Sequence, residues 1–390
     1  MKKIDNKSMK SNNSHIEGLL SYKRTPIEIE SPEQFGYENI KYNLTESSVP
    51  DMILGELGNL YLKDLVLCYG NHIGNPHLRQ RIANKKEIIT QDHVLVTAGA
   101  AAALFIIATS LLKPRDHMVV LHPNYVTNIE TPRAIGCRVD YLPLSFDAQF
   151  QLDLAKLEQL IQPNTRLISL TYPHNPTGAM LRKSELTKII SLIEAKGCYL
   201  LIDETYRDMT YSEPLPMAAD LSPKAISVSS FSKSYGLPGI RIGWLITQNN
   251  SLMETFLAAK EQIFICNSVV DEKIADHFLA KKEQFFPKIQ AHIQTNFATI
   301  KVWIENNDYI EWVEPRGGCV CFPRIKPSIK IDINKFYRIL NETYKTFVGP
   351  GHWFEVDRRY MRIGYGWPNK QELEGGLNCI TKAIEETIAT

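Results

Sequence analysis

The sequence has 390 residues, of which 44% are hydrophobic and 22% charged, and its formal net charge is +1. That length fits one large domain plus a smaller one. The balanced charge gives no electrostatic reason to expect nucleic acid or an anionic membrane as a partner, so a small molecule is the favoured ligand.

The first residues are polar. Residues 1 to about 15 contain no apolar run of the kind that a signal peptide needs, and we expect them to form a frayed tail. The seven cysteines are odd in number and scattered, which is typical of a reducing compartment and unlike a disulfide framework. The ten histidines form no pair at metal-ligand spacing. We therefore predict a cytoplasmic protein without a metal site.

One uncharged segment has the length of a membrane span. Residues 94–112 carry no charged side chain. The β-branched start, the break at Thr97-Ala98-Gly99 and the alanine-rich remainder instead favour a buried strand, a tight turn and a buried helix. We predict no transmembrane segment here.

Short β-rich runs recur along the chain, and helical patterns separate most of them. The runs cover residues 94–97, 118–121, 138–143, 166–171, 198–203, 225–229 and 240–246. The clearest helix is Ser184 to Lys196, with one apolar stripe, Ser184 as a candidate cap and Gly197 as the stop. This alternation predicts an α/β fold with a mostly parallel sheet of about seven strands, and reactive groups should collect at the carboxyl ends of the strands.

The pattern changes near residue 271. A long polar helical stretch runs to about residue 306, and it is followed by strand-like runs at 309–313 and 318–323, a Pro-Gly loop at 349–351 and a closing helix from about Gln371. We therefore predict an N-terminal tail and arm at residues 1–45, a large domain at 46–270 and a small α+β domain at 271–390.

Two segments could hold an anion or a carbonyl compound. Lys233 lies among small and hydroxyl residues, with Arg241 eight positions later, and a lysine in a pocket can form a Schiff base; a surface lysine is the alternative. Gly99 follows a β-rich run and opens a helix, which points backbone N–H groups at an anion; close helix packing is the alternative.

Polar side chains follow two further predicted strands. Asn175 lies in Tyr-Pro-His-Asn-Pro-Thr-Gly after the run 166–171, where the motif could also be a simple turn. Asp203 ends an apolar run and Tyr206 follows three residues later. A buried carboxylate at a strand end needs a cationic or hydrogen-bonding partner, although Asp203 could also cap the next helix.

Together and in this order, these segments resemble the class I and II aminotransferases of the fold-type I pyridoxal-phosphate enzymes, the family that includes aspartate aminotransferase. The resemblance begins at Tyr69 with Tyr-x4-Gly-x3-Leu-Arg and runs through to Arg362. It implies a large cofactor-binding domain with helices on both faces of the sheet, and a smaller α+β domain built from the C-terminal part and the N-terminal segment.

The resemblance implies that pyridoxal 5'-phosphate is the cofactor. Lys233 would form its Schiff base and move the proton between substrate and cofactor carbons, while Asp203 would pair with the pyridine nitrogen. Asn175 and Tyr206 match the groups that hydrogen-bond the phenolic oxygen, and Tyr125 matches the aromatic residue that stacks on the ring. Lys233, Asp203 and Tyr206 are thus the expected catalytic residues.

The resemblance also implies how the phosphate and the substrate are held. The matching phosphate ligands are Gly99, Ala100, Ala101, Ser230, Ser232, Arg241 and, from the neighbouring subunit of a homodimer, Tyr69. Some members have Ser or Thr where this chain has Ala100, so one side-chain hydrogen bond should be missing. Arg362 matches the arginine that grips the substrate α-carboxylate, and Asn175 is the other expected substrate-binding residue.

The implied activity is transfer of an amino group from an α-amino acid to a 2-oxo acid. A lyase, an elimination or a cyclising reaction on an amino acid uses the same scaffold and stays open. A regulator with an aminotransferase-like sensor domain is disfavoured because no basic recognition helix is visible. Specificity also stays open: residues 15–45, including Tyr22, Phe35, Gly36 and Tyr37, fit no pattern, and a dicarboxylic substrate is not excluded.

Overall fold

The computed structural model describes residues 20–83 and 88–388, so the predicted tail up to about residue 15 lies outside the described residues. The strands in chain order are β1 (Tyr42–Leu44), β2 (Val94–Thr97), β3 (His117–His122), β4 (Arg138–Pro143), β5 (Thr165–Thr171), β6 (Tyr199–Asp203), β7 (Ala225–Ser230), β8 (Gly243–Ile246), β9 (Ile310–Glu311), β10 (Val320–Cys321), β11 (Arg324–Ile325), β12 (Thr346–Pro350) and β13 (Met361–Gly364).

Helices separate most of these strands, as the sequence predicts. In chain order they are α1 (Pro26–Glu30), α2 (Pro32–Phe35), α3 (Pro76–Ala83), α4 (Gly99–Leu111), α5 (Thr127–Ile135), α6 (Leu154–Leu160), α7 (Lys183–Lys196), α8 (Ala218–Leu221), α9 (Asn250–Phe264), α10 (Val269–Ala280), α11 (Lys282–Glu305), α12 (Ile333–Arg338) and α13 (Lys370–Ile388).

Within the described part of the chain, seven strands form one large sheet in the order β2-β8-β7-β6-β5-β3-β4. All neighbouring pairs are parallel except those of β8, which runs antiparallel to both β2 and β7. The prediction of a mostly parallel sheet of about seven strands is therefore confirmed. The carboxyl ends of the parallel strands meet at one edge, and the start of β8 joins them there.

Helices cover both faces of this sheet. The apolar stripe of α7 (Leu186, Ile189, Ile190 and Ile193) packs on one face. Helix α4 packs on the other face together with α9, through Leu104, Ile107 and Phe256. Each fully buried side chain of this size contributes about 1.5–3 kcal/mol through the hydrophobic effect.

Three details of the predicted elements are wrong at their ends. Arg182 rather than Ser184 precedes α7, and the carboxylate of Glu185 accepts the Arg182 backbone N–H at 2.7 Å. The run predicted at 240–246 becomes a strand at Gly243, because residues 238–240 form a short 3₁₀ turn. In the predicted Pro-Gly loop at 349–351, residues 349 and 350 instead end β12, which pairs with β13, and Gly351 begins a 3₁₀ turn.

A second sheet joins the two ends of the described chain. Its order is β1-β12-β13-β10, with β1 parallel to β12. Helices α11, α12 and α13 pack against it and bury a separate core that includes Leu44 from β1. This is the smaller α+β unit, built from the C-terminal part and the N-terminal segment. Helix α10 packs on α3. The domain boundaries at residues 45 and 270 remain predictions.

The segment 94–112 forms β2 and α4, as predicted. Among residues 20–83 and 88–388, no helix has both the length and the apolar character needed to cross a membrane. Over the same residues, no group of three or more Cys, His, Asp or Glu side chains is placed to hold a metal ion.

A test of the fold is the substitution Gly243→Ala. A Cβ atom there would lie 2.4 Å from the carbonyl carbon of Gly99. Because that carbon belongs to the backbone, relieving the clash would require the main chain to shift. We expect a loss of roughly 1–3 kcal/mol in the free energy of unfolding, measured by chemical denaturation. The control is Gly55→Ala, where a Cβ atom would meet nothing within 4 Å. Equal stability of the two variants would contradict this account of the packing.

Candidate active site

The candidate site lies at the carboxyl edge of the large sheet. Thr171, Asp203 and Ser230 are the last residues of β5, β6 and β7. Gly99 follows β2, and Arg241 precedes the antiparallel strand β8, so both reach the same edge. Residues that are far apart in sequence are thereby brought together.

These side chains surround a cavity of about 280 Å³. All the catalytic, cofactor-binding and substrate-binding residues predicted from the sequence line it except Gly99 and Tyr69. The predicted residues that line the cavity are Ala100, Ala101, Tyr125, Asn175, Asp203, Tyr206, Ser230, Ser232, Lys233, Arg241 and Arg362. Gly99 lies directly behind Arg241, and Tyr69 is 80% exposed in the single chain.

The first turn of α4 and Arg241 form one cationic end of the cavity. No side chain caps α4, so the backbone N–H groups at its start are left for another acceptor. A Cβ atom on Gly99 would lie 2.5 Å from Nη2 of Arg241, so the guanidinium rests against the glycine backbone. Arg241 itself has φ +47°, an uncommon conformation outside glycine. This end is built to bind an anion.

Lys233 follows β7 and faces the centre of the cavity. Burial lowers the pKa of its amine, Glu46 opposes this effect and Arg362 adds to it. A lowered pKa increases the fraction of neutral amine, which is the nucleophilic form. Lys233 is therefore the candidate nucleophile of the site.

Asp203 ends β6, and Tyr206 follows three residues later; both line the cavity with Lys233. The Oδ1 atom of Asp203 accepts hydrogen bonds from the backbone N–H of Thr205 at 3.0 Å and from its hydroxyl at 2.5 Å. Burial raises the pKa of this carboxyl, while the bonds from Thr205 oppose the rise. The hydroxyl of Tyr206 donates to the backbone carbonyl of Ser47 at 2.9 Å.

Arg362 is a second guanidinium in the cavity wall. Its side chain is buried, with Nη1 donating to Oδ1 of Asn175 at 3.1 Å and Nη2 to the carbonyl of Thr45 at 2.8 Å. The Nε atom is buried and has no hydrogen-bond partner. Because a buried donor is rarely left unpaired, this guanidinium points to an anionic ligand.

The turn that carries Asn175 is held by its neighbour His174. The Nε2 atom of His174 lies 2.9 Å from the carbonyl of Pro123, and Nδ1 lies 2.8 Å from the hydroxyl of Thr177. Burial lowers the pKa of His174 to about 3, so the ring is neutral. His174 thus ties the Asn175 turn to the segment that carries Tyr125 and serves as a structural residue.

Several lining residues were missed by the sequence reasoning. They come from the N-terminal segment, the strand ends and the turn after β12: Ile27, Ser31, Pro32, Glu33, Thr45, Glu46, Ser47, Thr171, Thr205, Pro238 and Trp353. Four residues of the segment 15–45 were also named from the sequence in connection with substrate specificity. None of the four lines the cavity: Tyr22, Phe35, Gly36 and Tyr37. No local motif marks the true residues, because tertiary packing alone brings them to the cavity.

Comparison with known sequences decides the family. The sequence pattern described as "Aminotransferase class I and II" matches residues 45–379. The chain belongs to the class I and II aminotransferases. It is 27% identical over 361 residues to the capreomycidine synthase of Streptomyces vinaceus, covering 89% of this chain and 91% of the relative. It is 28% identical over 329 residues to the aspartate aminotransferase of Pyrococcus horikoshii, covering 81% and 83%.

Solved structures of this family share the fold. A PLP-dependent aminotransferase from Streptococcus suis superposes with a TM-score of 0.85 at 27% identity, covering 92% of this chain and 97% of the other. The seven-stranded sheet and the smaller unit of this aminotransferase therefore follow an architecture known from experiment.

Glu204, the neighbour of Asp203, faces away from the candidate site. It lines a separate cavity of about 210 Å³. Its Oε1 atom accepts hydrogen bonds from the backbone N–H of Ala218 at 2.8 Å and from the hydroxyl of Ser227 at 2.9 Å. Burial is the largest effect on this carboxyl and raises its pKa from 4.5 to about 7.

This raised pKa predicts a pH dependence of stability. The folded state holds the Glu204 proton more tightly than the unfolded state, so the stabilisation is complete below pH 4.5 and is lost as the pH rises towards 7. Relative to Glu204→Gln, the wild-type free energy of unfolding should fall across that window by up to about 3 kcal/mol. The control is Glu283→Gln, at the exposed rim of the same cavity. Parallel pH profiles of the wild type and Glu204→Gln would refute the prediction.

Proposed function

We propose that this aminotransferase uses pyridoxal 5'-phosphate to move an amino group from an α-amino acid to a 2-oxo acid. One observation carries the proposal: a single cavity combines the Lys233 amine, whose pKa is lowered, with the buried carboxylate of Asp203 and a buried guanidinium, Arg362, that has an unpaired Nε. Membership of the class I and II aminotransferases supports the same activity.

The residues present fit the cofactor. The uncapped start of α4, with Ala100 and Ala101, and Arg241 would hold the phosphate, helped by Ser230 and Ser232. A side chain on Gly99 would displace Arg241, so the glycine keeps this cradle open. Ala100 would contribute only its backbone N–H, because its side chain has no donor.

The ring of the cofactor would be held from three sides. Tyr125 would stack on its face, and Asp203 would pair with the pyridine nitrogen and keep it protonated. Asn175 and Tyr206 would donate to the phenolic oxygen, for which the Tyr206 hydroxyl would turn its hydrogen away from Ser47.

When bound, pyridoxal phosphate supplies an aldehyde that receives the amino group and a ring that takes up the electron pair released at the substrate α-carbon. Lys233 would hold the cofactor through Nζ. The same Nζ atom would also be the base that takes up and moves the proton of the substrate α-carbon. Arg362 binds the α-carboxylate through its fork of N–H groups, which fixes the α-carbon beside Lys233.

A cyclising reaction, or a lyase or elimination reaction, is the alternative on this scaffold. Its support is the similarity to a protein named capreomycidine synthase. The same lysine, carboxylate and guanidinium would serve, and the products distinguish the reactions. Transamination yields the 2-oxo acid of the donor, whereas elimination yields ammonia and cyclisation yields a ring-closed amino acid.

The proposal predicts the behaviour of Lys233→Ala. Without Nζ the proton at the α-carbon has no acceptor, and we expect the rate of 2-oxo acid formation to fall by about 100-fold or more. The measurement is the visible spectrum and the products after mixing protein, pyridoxal phosphate and single amino acids. The control is Lys188→Ala, on the exposed surface of α7. Unchanged absorbance and rate in Lys233→Ala would overturn the cofactor assignment.

We also propose a homodimer with shared active sites. Tyr69 is 80% exposed in the single chain, and the nearby Tyr61, Val66 and Leu67 are exposed as well. Exposed apolar side chains of this kind are typical of an interface, and Tyr69 would reach the partner's phosphate site.

We further propose a cytoplasmic location, because none of the seven cysteines is in a disulfide.

Mixed dimers test the shared site. Tyr69→Ala and Lys233→Ala should each be impaired alone, but a hybrid dimer of the two holds one site with both native residues. We expect mixing by unfolding and refolding to recover activity that neither variant shows. The comparison is Tyr61→Ala mixed with Lys233→Ala. A monomer by sedimentation, or no recovery from a verified hybrid, would refute the shared site.

A further inference from the structure

The proposed reaction gives a role to some of the charged side chains around the cavity and leaves two carboxylates without one. Among the described residues, the charged side chains that line the cavity are Lys233, Arg241, Arg362, Asp203, Glu33 and Glu46. The three cations are assigned to the aldehyde, the phosphate and the α-carboxylate, and Asp203 is assigned to the pyridine nitrogen. Glu33 and Glu46 therefore remain for the part of the substrate beyond the α-carbon.

Both carboxylates come from the N-terminal segment. Glu33 lies in the short helix α2, and Glu46 lies two residues after β1. Glu46 is half-buried and accepts long hydrogen bonds of 3.3 Å from the hydroxyl of Tyr37 and from Nδ2 of Asn43. Glu46 lines the same cavity as Lys233 and Arg362, and its charge raises the pKa of both against the effect of burial.

An independent feature shows that a ligand belongs here. Arg362 lines the same cavity and is only 5% exposed, yet its buried Nε atom has no hydrogen-bond partner. An anionic group such as an α-carboxylate satisfies that donor. A ligand anchored at Arg362 then extends its other end along the wall that carries Glu33 and Glu46.

Part of the cavity wall is apolar. Ile27, Pro32 and Trp353 from the N-terminal segment and the turn after β12 line it, and Trp353 is buried. Glu30 fixes this wall, because its carboxylate accepts a hydrogen bond from Nε1 of Trp353 at 2.8 Å and lies 2.7 Å from Nε2 of His352. An aliphatic stem fits such a wall, with a charge at its end.

We propose that the amino-group donor is an α-amino acid with a cationic side chain, a guanidinium or an ammonium group, which Glu33 and Glu46 bind. The inference rests on the proposed aminotransferase function and deepens it. A dicarboxylic donor would place its second carboxylate against two carboxylates, and no further Lys, Arg or His of the described residues lines the cavity to bind it.

The experiment uses the holoenzyme and matched pairs of donors. L-Arginine is compared with L-citrulline, which replaces the guanidinium by a neutral group of nearly the same shape, and L-lysine is compared with L-norleucine. L-Glutamate represents the acidic donors. The rate of conversion of the bound cofactor is measured against donor concentration. We expect the conversion rate with each cationic donor that reacts to exceed the rate with its neutral partner by roughly 10-fold or more. The neutral partner lacks the charge-assisted hydrogen bond to the carboxylates.

Variants locate the effect. In Glu46→Gln and Glu33→Gln the ratio of arginine to citrulline should fall towards one, with the larger loss for half-buried Glu46, and the half-saturation concentration should rise for arginine alone. The ratio is the readout because Glu46 also acts on Lys233, which would change the rates of all donors together. The control is Glu38→Gln, a carboxylate on the same segment that lies outside the cavity and should keep the ratio.

The outcomes separate this inference from the proposed function. If no amino acid converts the cofactor, the aminotransferase function itself fails. If citrulline, norleucine or glutamate reacts as well as the cationic donors or better, the function stands and the inference is wrong. A ratio that survives in the double variant of Glu33 and Glu46 would also overturn it. Arginine and lysine results together identify which cationic group is preferred.

Discussion

The close contact between β8 and the first turn of α4 is the constraint on which the candidate site depends. A Cβ atom on Gly243 would lie 2.4 Å from the Gly99 backbone, so the two segments can approach this closely only because residue 243 is glycine. The contact holds the turn before β8 against the uncapped N–H groups of α4, and it lays Arg241 over Gly99. Backbone donors and a guanidinium thus converge on one point, which neither segment could provide alone.

Arg362 ties the cavity to three parts of the chain. It extends from β13 in the smaller sheet, donates to Asn175 beside the large sheet and donates to Thr45 after β1. The guanidinium is therefore positioned before any ligand arrives, and its Nε atom, which has no partner, is left for that ligand. Preorganisation of this kind lowers the entropic cost of orienting a substrate at the reacting lysine.

The N-terminal segment completes the cavity and gives it its unpaired negative charge. Strand β1 fixes Glu46 by pairing with β12, while Glu30 fixes the helices that carry Glu33. The large sheet with its strand-end residues is the part that any reaction on this scaffold needs. The segment before residue 48 also lines the cavity, and under the proposal above it is the part that distinguishes one substrate side chain from another.

The sequence by itself determined the alternation of strands and helices, the buried nature of residues 94–112 and the motifs around Asn175, Asp203 and Lys233, since periodicity and strand-end polar residues are local patterns. It misjudged the cap of α7, the start of β8 and the end of β12, where neighbouring strands and side chains decide the boundary. Only the tertiary structure decided which N-terminal residues line the cavity. Glu33 and Glu46 carry no motif, and their role follows from where the packing of α2 and β1 places them relative to Lys233 and Arg362.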